Sequence, residues 1–252
     1  MTTKPVLLVA AHGSRDPRHA ATVHALCERV RSLRPRLRVE TGFLDHCAPG
    51  VPQVVDRLAA EGVREVIALP LLLTRAFHAK SDIPAVLREA EGRHPRLTIH
   101  QADVLGPSPL LISALERRLR EAGMPDGDRG STGIVLASAG STDPEAIAVI
   151  AEIAREWRRT GWCAVRPAFA SASLPRTEDA VRELRAEGVQ RVAVSPYVIA
   201  PGFLPDRIVA GAAHADALAP VLGAAPELAR LLLHRYDEAR ASGASYRVAL
   251  SA

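Results

Sequence analysis

The chain of 252 residues is poor in aromatic side chains, which make up 4% of it. A stacking platform for single-stranded nucleic acid needs several, so that partner is disfavoured. Cysteine is scarce: Cys27, Cys47 and Cys163 stand in no metal-like spacing. This argues against a disulfide framework and against a zinc knuckle. Long apolar runs are missing as well. The longest, residues 66–73, contains Pro70, and a membrane span needs about 20 residues. The opening MTTKPVLLVAAHGS has one lysine and a short apolar stretch that breaks at His12. It lacks the longer apolar region and small-residue cleavage site of an export signal, so it reads as a first strand and the expected location is the cytoplasm.

Lysine is almost absent. Of 32 basic residues only Lys4 and Lys80 are not arginine. Two readings stand side by side: a GC-rich genome that prefers arginine codons, or a polyanionic small substrate whose carboxylates suit guanidinium forks. The net charge of +4 is spread, with acids such as Glu116, Glu121, Asp126 and Asp128 among the bases. No basic run forms, which again disfavours nucleic acid. The apolar fraction of 48% and charged fraction of 24% are those of a globular chain. The length suits one large domain or two small ones.

The chain is written twice. Residues 10–17, AAHGSRDP, are echoed by residues 137–144, ASAGSTDP. Residues 59–70, AAEGVREVIALP, are echoed by residues 185–196, RAEGVQRVAVSP, at nearly the same offset. A third echo, VLGPSPLL at 104–111 against VLGAAPEL at 221–228, has a shorter offset. Three echoes in one order indicate duplication of a module of ~120 residues. Strands are expected at 6–11, 37–43, 66–71 and 97–101, and helices at 19–33, 51–60, 83–91 and 109–122. Gly62 is the expected stop of the second helix. Strands alternating with helices mean parallel sheets covered on both faces. The expected fold is therefore α/β: two tandem βαβ modules with a cleft between them. The modules are expected at 1–123 and 133–240, with a polar linker at 124–132 and a frayed tail at 241–252.

In open parallel sheets ligands bind beyond the carboxyl ends of the strands. Three such ends in the first module are polar: 12–16 after strand one, 45–47 after strand two and 74–82 after strand three. The two copies differ there. Gly13, Ser14, Asp16 and Pro17 recur as Gly140, Ser141, Asp143 and Pro144, but His12 meets Ala139 and His78 meets Leu204. What both halves keep serves the loop; what one half alone has is a candidate for chemistry. A single histidine at a strand end is more often a structural hydrogen-bonder than a ligand. Two at converging ends, both missing from the sister copy, favour a metal site, because neutral imidazole binds divalent first-row metals and titrates near neutrality. Asp45 reads as a solvated or capping residue, or as a carboxylate completing that site. His46 is the weaker candidate, since a continuing pleat directs it away from Asp45. His19 and His24 fall on the first helix, away from the strand end. Ser14, shared with Ser141, reads as a turn or cap residue. Neither GxGxxG nor a Walker lysine occurs, and Ser14 is in no GxSxG elbow, so the usual ATP, NAD and hydrolase devices are unsupported.

On LLVAAHGSRDP (7–17), GFLDHCAPGVP (42–52), EGVREVIALPLLL (61–73) and FHAKSDIP (77–84), the chain resembles the sirohydrochlorin chelatases of the CbiX/SirB type. These are class II chelatases, and the likeness is to their long two-module form. The resemblance implies ATP-independent insertion of Co²⁺ or Fe²⁺, as substrate metals with no resident cofactor, into sirohydrochlorin for cobalamin or siroheme synthesis. It implies His12 and His78 as metal-holding and proton-accepting residues, with Asp45, where the family usually has Glu, as carboxylate helper. Ser14, Arg15, Arg75 and Lys80 are the expected contacts to the carboxylate-rich macrocycle. The apolar segments 169–175 and 195–207 of the second half either pack against the ring face or pack as plain loops. A monomer with an internal pseudo-twofold is expected, with no nucleic acid and no membrane partner. The competing class is a non-catalytic carrier of tetrapyrrole or metal on the same scaffold.

Overall fold

A computed structural model describes residues 4–75, 82–124 and 126–250. The first half contains strands β1 (Val6–Ala11), β2 (Val39–Phe43), β3 (Glu65–Pro70) and β4 (Thr98–Gln101). Between and after them run helices α1 (Pro17–Leu33), α2 (Val51–Ala60), α3 (Ile83–Gly92) and α4 (Pro109–Glu121). The second half repeats the order with β5 (Thr132–Ser138), α5 (Pro144–Arg158), β6 (Ala164–Phe169), α6 (Thr177–Ala186), β7 (Arg191–Tyr197), α7 (Phe203–Gly211), β8 (Ala217–Leu218) and α8 (Pro226–Leu250). The two parallel sheets have matching strand orders, β2-β1-β3-β4 and β6-β5-β7-β8.

The residue patterns explain the elements. β1 reads VLLVAA and is buried throughout, as a central strand with helices on both faces must be. Its neighbours β2 and β3 lie on opposite sides, so β1 ends at the switch point of the sheet, where a crevice opens. α1 and α5 start alike. Asp16 accepts a hydrogen bond from Arg18 N at 2.9 Å, Asp143 accepts one from Glu145 N at 2.9 Å, and a proline fills the first helical turn of each. Gly62, just past α2, takes φ +83°, which fits its expected role as a stop.

The compact units are not the two linear repeats. The first lobe comprises Met1–Gly106 with Pro226–Ala252, and the second comprises Pro107–Ala225. The last helix of each repeat is thus built into the other repeat's lobe. α8 packs on α1, β3 and β4 of the first lobe, and α4 packs on β7 of the second. The third echo, 104–111 against 221–228, marks the two points where the chain changes lobe. Equivalent arginines on the exchanged helices close equivalent loops. Arg118 on α4 donates to Leu222 O at 2.7 Å, and Arg235 on α8 donates to Val104 O at 2.9 Å and Leu105 O at 3.2 Å. Leu228, Leu231, Leu232 and Tyr236 of α8 are fully buried. Each buried leucine contributes about 2 kcal/mol of burial free energy. The Tyr236 hydroxyl donates to Pro5 O at 2.7 Å, tying α8 to the start of β1.

Two expected boundaries change as a result. Helix α8 runs on to Leu250, through most of the segment expected as a tail. The polar segment expected as a linker forms a 3-10 turn at Asp126–Ser131. Its Arg129 forks onto Glu116 of α4 at 2.7 and 3.0 Å. The same carboxylate accepts the indole N–H of Trp157 at 2.6 Å and of Trp162 at 3.0 Å. A buried carboxylate with this many donors is satisfied, and it pins the turn to the second lobe.

Candidate functional site at the carboxyl edge of the first sheet

Parallel strands bring the loops after β1, β2 and β3 to one edge of the first sheet. Hydrogen bonds stitch these loops across the end of β1. Leu44 N donates to Ala11 O at 2.9 Å, Asp45 N to His12 O at 2.9 Å, and Leu71 N to Ala10 O at 2.8 Å. Gly13 makes the approach of Asp45 possible. It holds φ +94°, and a Cβ there would lie 1.8 Å from Asp45 O. Only glycine fits. His12 and Asp45 therefore leave adjacent strand ends as neighbours, and both are exposed.

Ser14 is occupied locally, as its recurrence in the sister copy suggests. Its Oγ accepts Asp16 N at 3.1 Å. Its carbonyl accepts the Cys47 thiol at 3.2 Å, and its N–H points to Cys47 Sγ at 3.5 Å. Asp16 is the α1 cap and is further held by Arg18, whose hydrogen bonds keep its carboxyl below the ordinary value. Arg15 is exposed and has no ion pair among the described residues. Arg75 forks onto Asp103, with contacts of 3.0 and 2.6 Å, and this pair holds the Asp103 carboxyl below its ordinary value. Guanidinium forks of this kind are strong and directional, so Arg75 is already shared with a carboxylate. His78 and Lys80 lie outside the described residues. Among the described residues no three His, Cys, Asp or Glu side chains are grouped to hold a metal ion.

Two features of this edge depart from the expectation. β2 ends at Phe43, so no pleat carries His46 away from Asp45. Residue 46 instead takes φ +60°, its N–H donates to Asp45 Oδ1 at 2.7 Å, and its Nε2 lies 3.3 Å from Asp45 Oδ2. Also, His19 and His24 are not remote from the strand ends. Their rings pack on Phe43 with centroids 6.5 and 5.8 Å away. Burial, followed by the charge of His12, pushes the His19 imidazole down from its ordinary value, and its Nδ1 has no hydrogen-bond partner among the described residues.

The second lobe repeats this geometry without the chemistry. Gly140 also holds φ +94°, with its would-be Cβ 2.0 Å from Ser171 O. Asp143 N donates to Ser141 Oγ at 3.0 Å, and Ser173 Oγ donates to Ser141 O at 2.5 Å. Residues 43–49, FLDHCAP, thus correspond to 169–175, FASASLP. His12, Asp45 and His46 correspond to Ala139, Ser171 and Ala172. The aligned Phe and Pro at either end of that heptad are the signal in the sequence that flags His46.

The CbiX family model matches residues 6–122 and 133–239. The chain belongs to the CbiX family. Both repeats are covered, so each is a copy of the family's module. A sirohydrochlorin cobaltochelatase from Priestia megaterium is 28% identical over 207 residues, 81% of this chain and 67% of that protein. A sirohydrochlorin ferrochelatase from the same organism is 26% identical over 236 residues, 91% of this chain and 88% of that protein. Among solved structures, SirB from Bacillus subtilis with Fe³⁺ is 24% identical and superimposes with a TM-score of 0.82, covering 96% of this chain and 98% of that one. That match shows a shared CbiX-type fold: paired four-stranded parallel sheets with alternating helices.

Proposed function

We propose that this chain inserts Co²⁺ or Fe²⁺ into sirohydrochlorin without ATP. The observation that carries the reading is the one-sided edge of the first lobe. In a protein of the CbiX family, an imidazole and a carboxylate stand together where the sister lobe has alanine and serine. The relatives named above, one a cobaltochelatase and one a ferrochelatase, support both metals as substrates.

Insertion needs two events. The ion sheds water ligands, and the macrocycle loses two pyrrole N–H protons as metal–nitrogen bonds form. His12 and His78 hold the incoming ion through neutral imidazole nitrogens. Asp45 accepts a proton, and an imidazole accepts one on the nitrogen freed when the ion passes to the macrocycle; both pass them to solvent. Asp45 acts as this helper, with a side chain one methylene shorter than the usual glutamate. Arg15 and Lys80 meet the acidic rim of the macrocycle, as does Arg75 on exchanging Asp103 for a substrate carboxylate. Ser14 shapes the turn, and its contact to substrate is at most through the loop it holds. In the second lobe Leu174 and Phe203 are 73% and 75% exposed, apolar surface suited to a flat ring. The three free cysteines support a reducing compartment, the cytoplasm, and the fusion of two modules supports a monomer. No helix among the described residues is long and apolar enough to cross a membrane.

The test is an optical assay with sirohydrochlorin, Co²⁺ or Fe²⁺, and protein at a small fraction of the tetrapyrrole. Many turnovers per protein support the enzyme. A spectral change that stops at one equivalent makes the chain a carrier and overturns the proposal.

A further inference from the structure

We propose that His46 is a positioning residue: it fixes the Asp45 carboxylate in the orientation from which that group accepts a proton. The inference rests on the chelatase reading for what Asp45 does, and on geometry for what His46 does.

The turn itself does not require an imidazole at this point. Residue 46 lies in the left-handed region, where a non-glycine residue is uncommon. The second lobe makes the same turn with Ala172 at φ +59°. The bonds that close the turn also recur. Cys47 N donates to Asp45 O at 2.7 Å, and Ser173 N to Ser171 O at 2.6 Å. A methyl group is therefore enough for the fold, and the ring of His46 is surplus to it.

The ring's contact is with Asp45. One carboxylate oxygen takes the backbone N–H of residue 46 at 2.7 Å, and the other sits 3.3 Å from Nε2 of the same residue. One oxygen is thereby hydrogen-bonded, and the ring stands beside the other. The pair is open to water, with the Asp45 side chain 62% exposed and that of His46 34% exposed. Exposed pairs contribute little to stability, because solvent and salt screen them. Orientation is the larger consequence. A proton acceptor works only within hydrogen-bond reach of the proton, and a carboxylate on a freely rotating side chain spends much of its time elsewhere. The second lobe lacks both members of the pair together, Ser171 and Ala172 standing in their places. That joint absence is what a two-residue device would leave.

The experiment compares His46→Ala, His46→Asn, Asp45→Asn and the His46→Ala/Asp45→Asn double variant. His46→Ala is expected to lower kcat for metal insertion about 10-fold, the usual scale for a supporting partner, while KM for sirohydrochlorin stays put. His46→Asn should restore most of the rate, since Asn tolerates positive φ and carries a side-chain donor. The double variant should be no slower than Asp45→Asn alone, because the two residues act as one unit. A second readout needs no turnover: three-bond side-chain couplings of Asp45 should report one χ1 rotamer in the native protein and the Asn variant, and a mixture in His46→Ala. A native-like rate for His46→Ala, losses that multiply in the double variant, or a rotamer mixture in the native protein each overturn the proposal. A native protein that shows the expected couplings but inserts no metal overturns the chelatase reading and supports the pairing.

Discussion

The two lobes hold the same turn for different ends. In both, a glycine at φ +94° lets one loop touch the next, a serine hydroxyl receives an N–H two residues on, and a thiol or hydroxyl ties the second loop to the first. The first lobe places His12, Asp45 and His46 on this frame, and the second places Ala139, Ser171 and Ala172. The frame is thus independent of the residues it carries, and the protein holds its own control for the proposed site: a lobe in which the proposed reactive groups are already replaced and the turn still forms.

The sharpest way to break this equivalence is at the glycines. Gly13→Ala and Gly140→Ala each force a Cβ onto a backbone carbonyl at about 2 Å, in a conformation that L-residues rarely adopt. Each should cost on the order of 4 kcal/mol in urea unfolding, or prevent folding. Tolerance of Gly140→Ala with damage from Gly13→Ala would mean that the second turn is not the same device. The exchanged helices give a milder test. Arg118 and Arg235 are equally buried, with side chains 18% and 17% exposed, and each closes a carbonyl at the same point of its repeat. Arg118→Ala and Arg235→Ala should each lose about 2 kcal/mol, because a charged donor is removed from a partly buried acceptor. Unequal losses would break the symmetry.

The smallest effect belongs to a pair that only one lobe has. Arg34 forks onto Asp237 of α8 at 2.7 Å, whereas the equivalent positions in the second lobe are Gly161 and Arg120. The Arg34 hydrogen bonds hold the Asp237 carboxyl below its ordinary value. A depressed carboxyl adds stability above its unfolded pKa, and that stability disappears as pH falls through the lower folded value. Because both side chains are about one-third exposed, screening keeps the effect small. Asp237→Asn should lower Tm by about 2 °C at pH 7, with the gap to the native protein closing below about pH 3.

Much of this was open to reading in the residues. The element order, the duplication and the Gly-Ser-x-Asp-Pro turn followed from periodicity and echo, because they are local. The exchange of α4 and α8 was not, since an amphipathic pattern states that a helix buries a face and not which sheet receives it. Its trace was the changed offset of the third echo, which falls at the crossovers. The direction of His46 was not legible, because alternation holds only while a strand continues, and β2 ends at Phe43 with residue 46 in the left-handed region. The bond from Arg75 to Asp103 joins two loops 28 residues apart, beyond any local pattern. His19 and His24 lie far from β2 in sequence, and only the packing of α1 brings their rings to Phe43.

The central claim is that reaction chemistry resides in the first lobe and begins at His12. The most direct measurement is the initial rate of cobalt insertion into sirohydrochlorin by His12→Ala, with its melting curve and its tetrapyrrole affinity recorded alongside. The account predicts a rate lowered about 1,000-fold, the scale of a lost acid–base group, with unchanged melting and retained binding, since Ala139 already sits at this position in the second lobe. A variant that inserts cobalt at the native rate would contradict it.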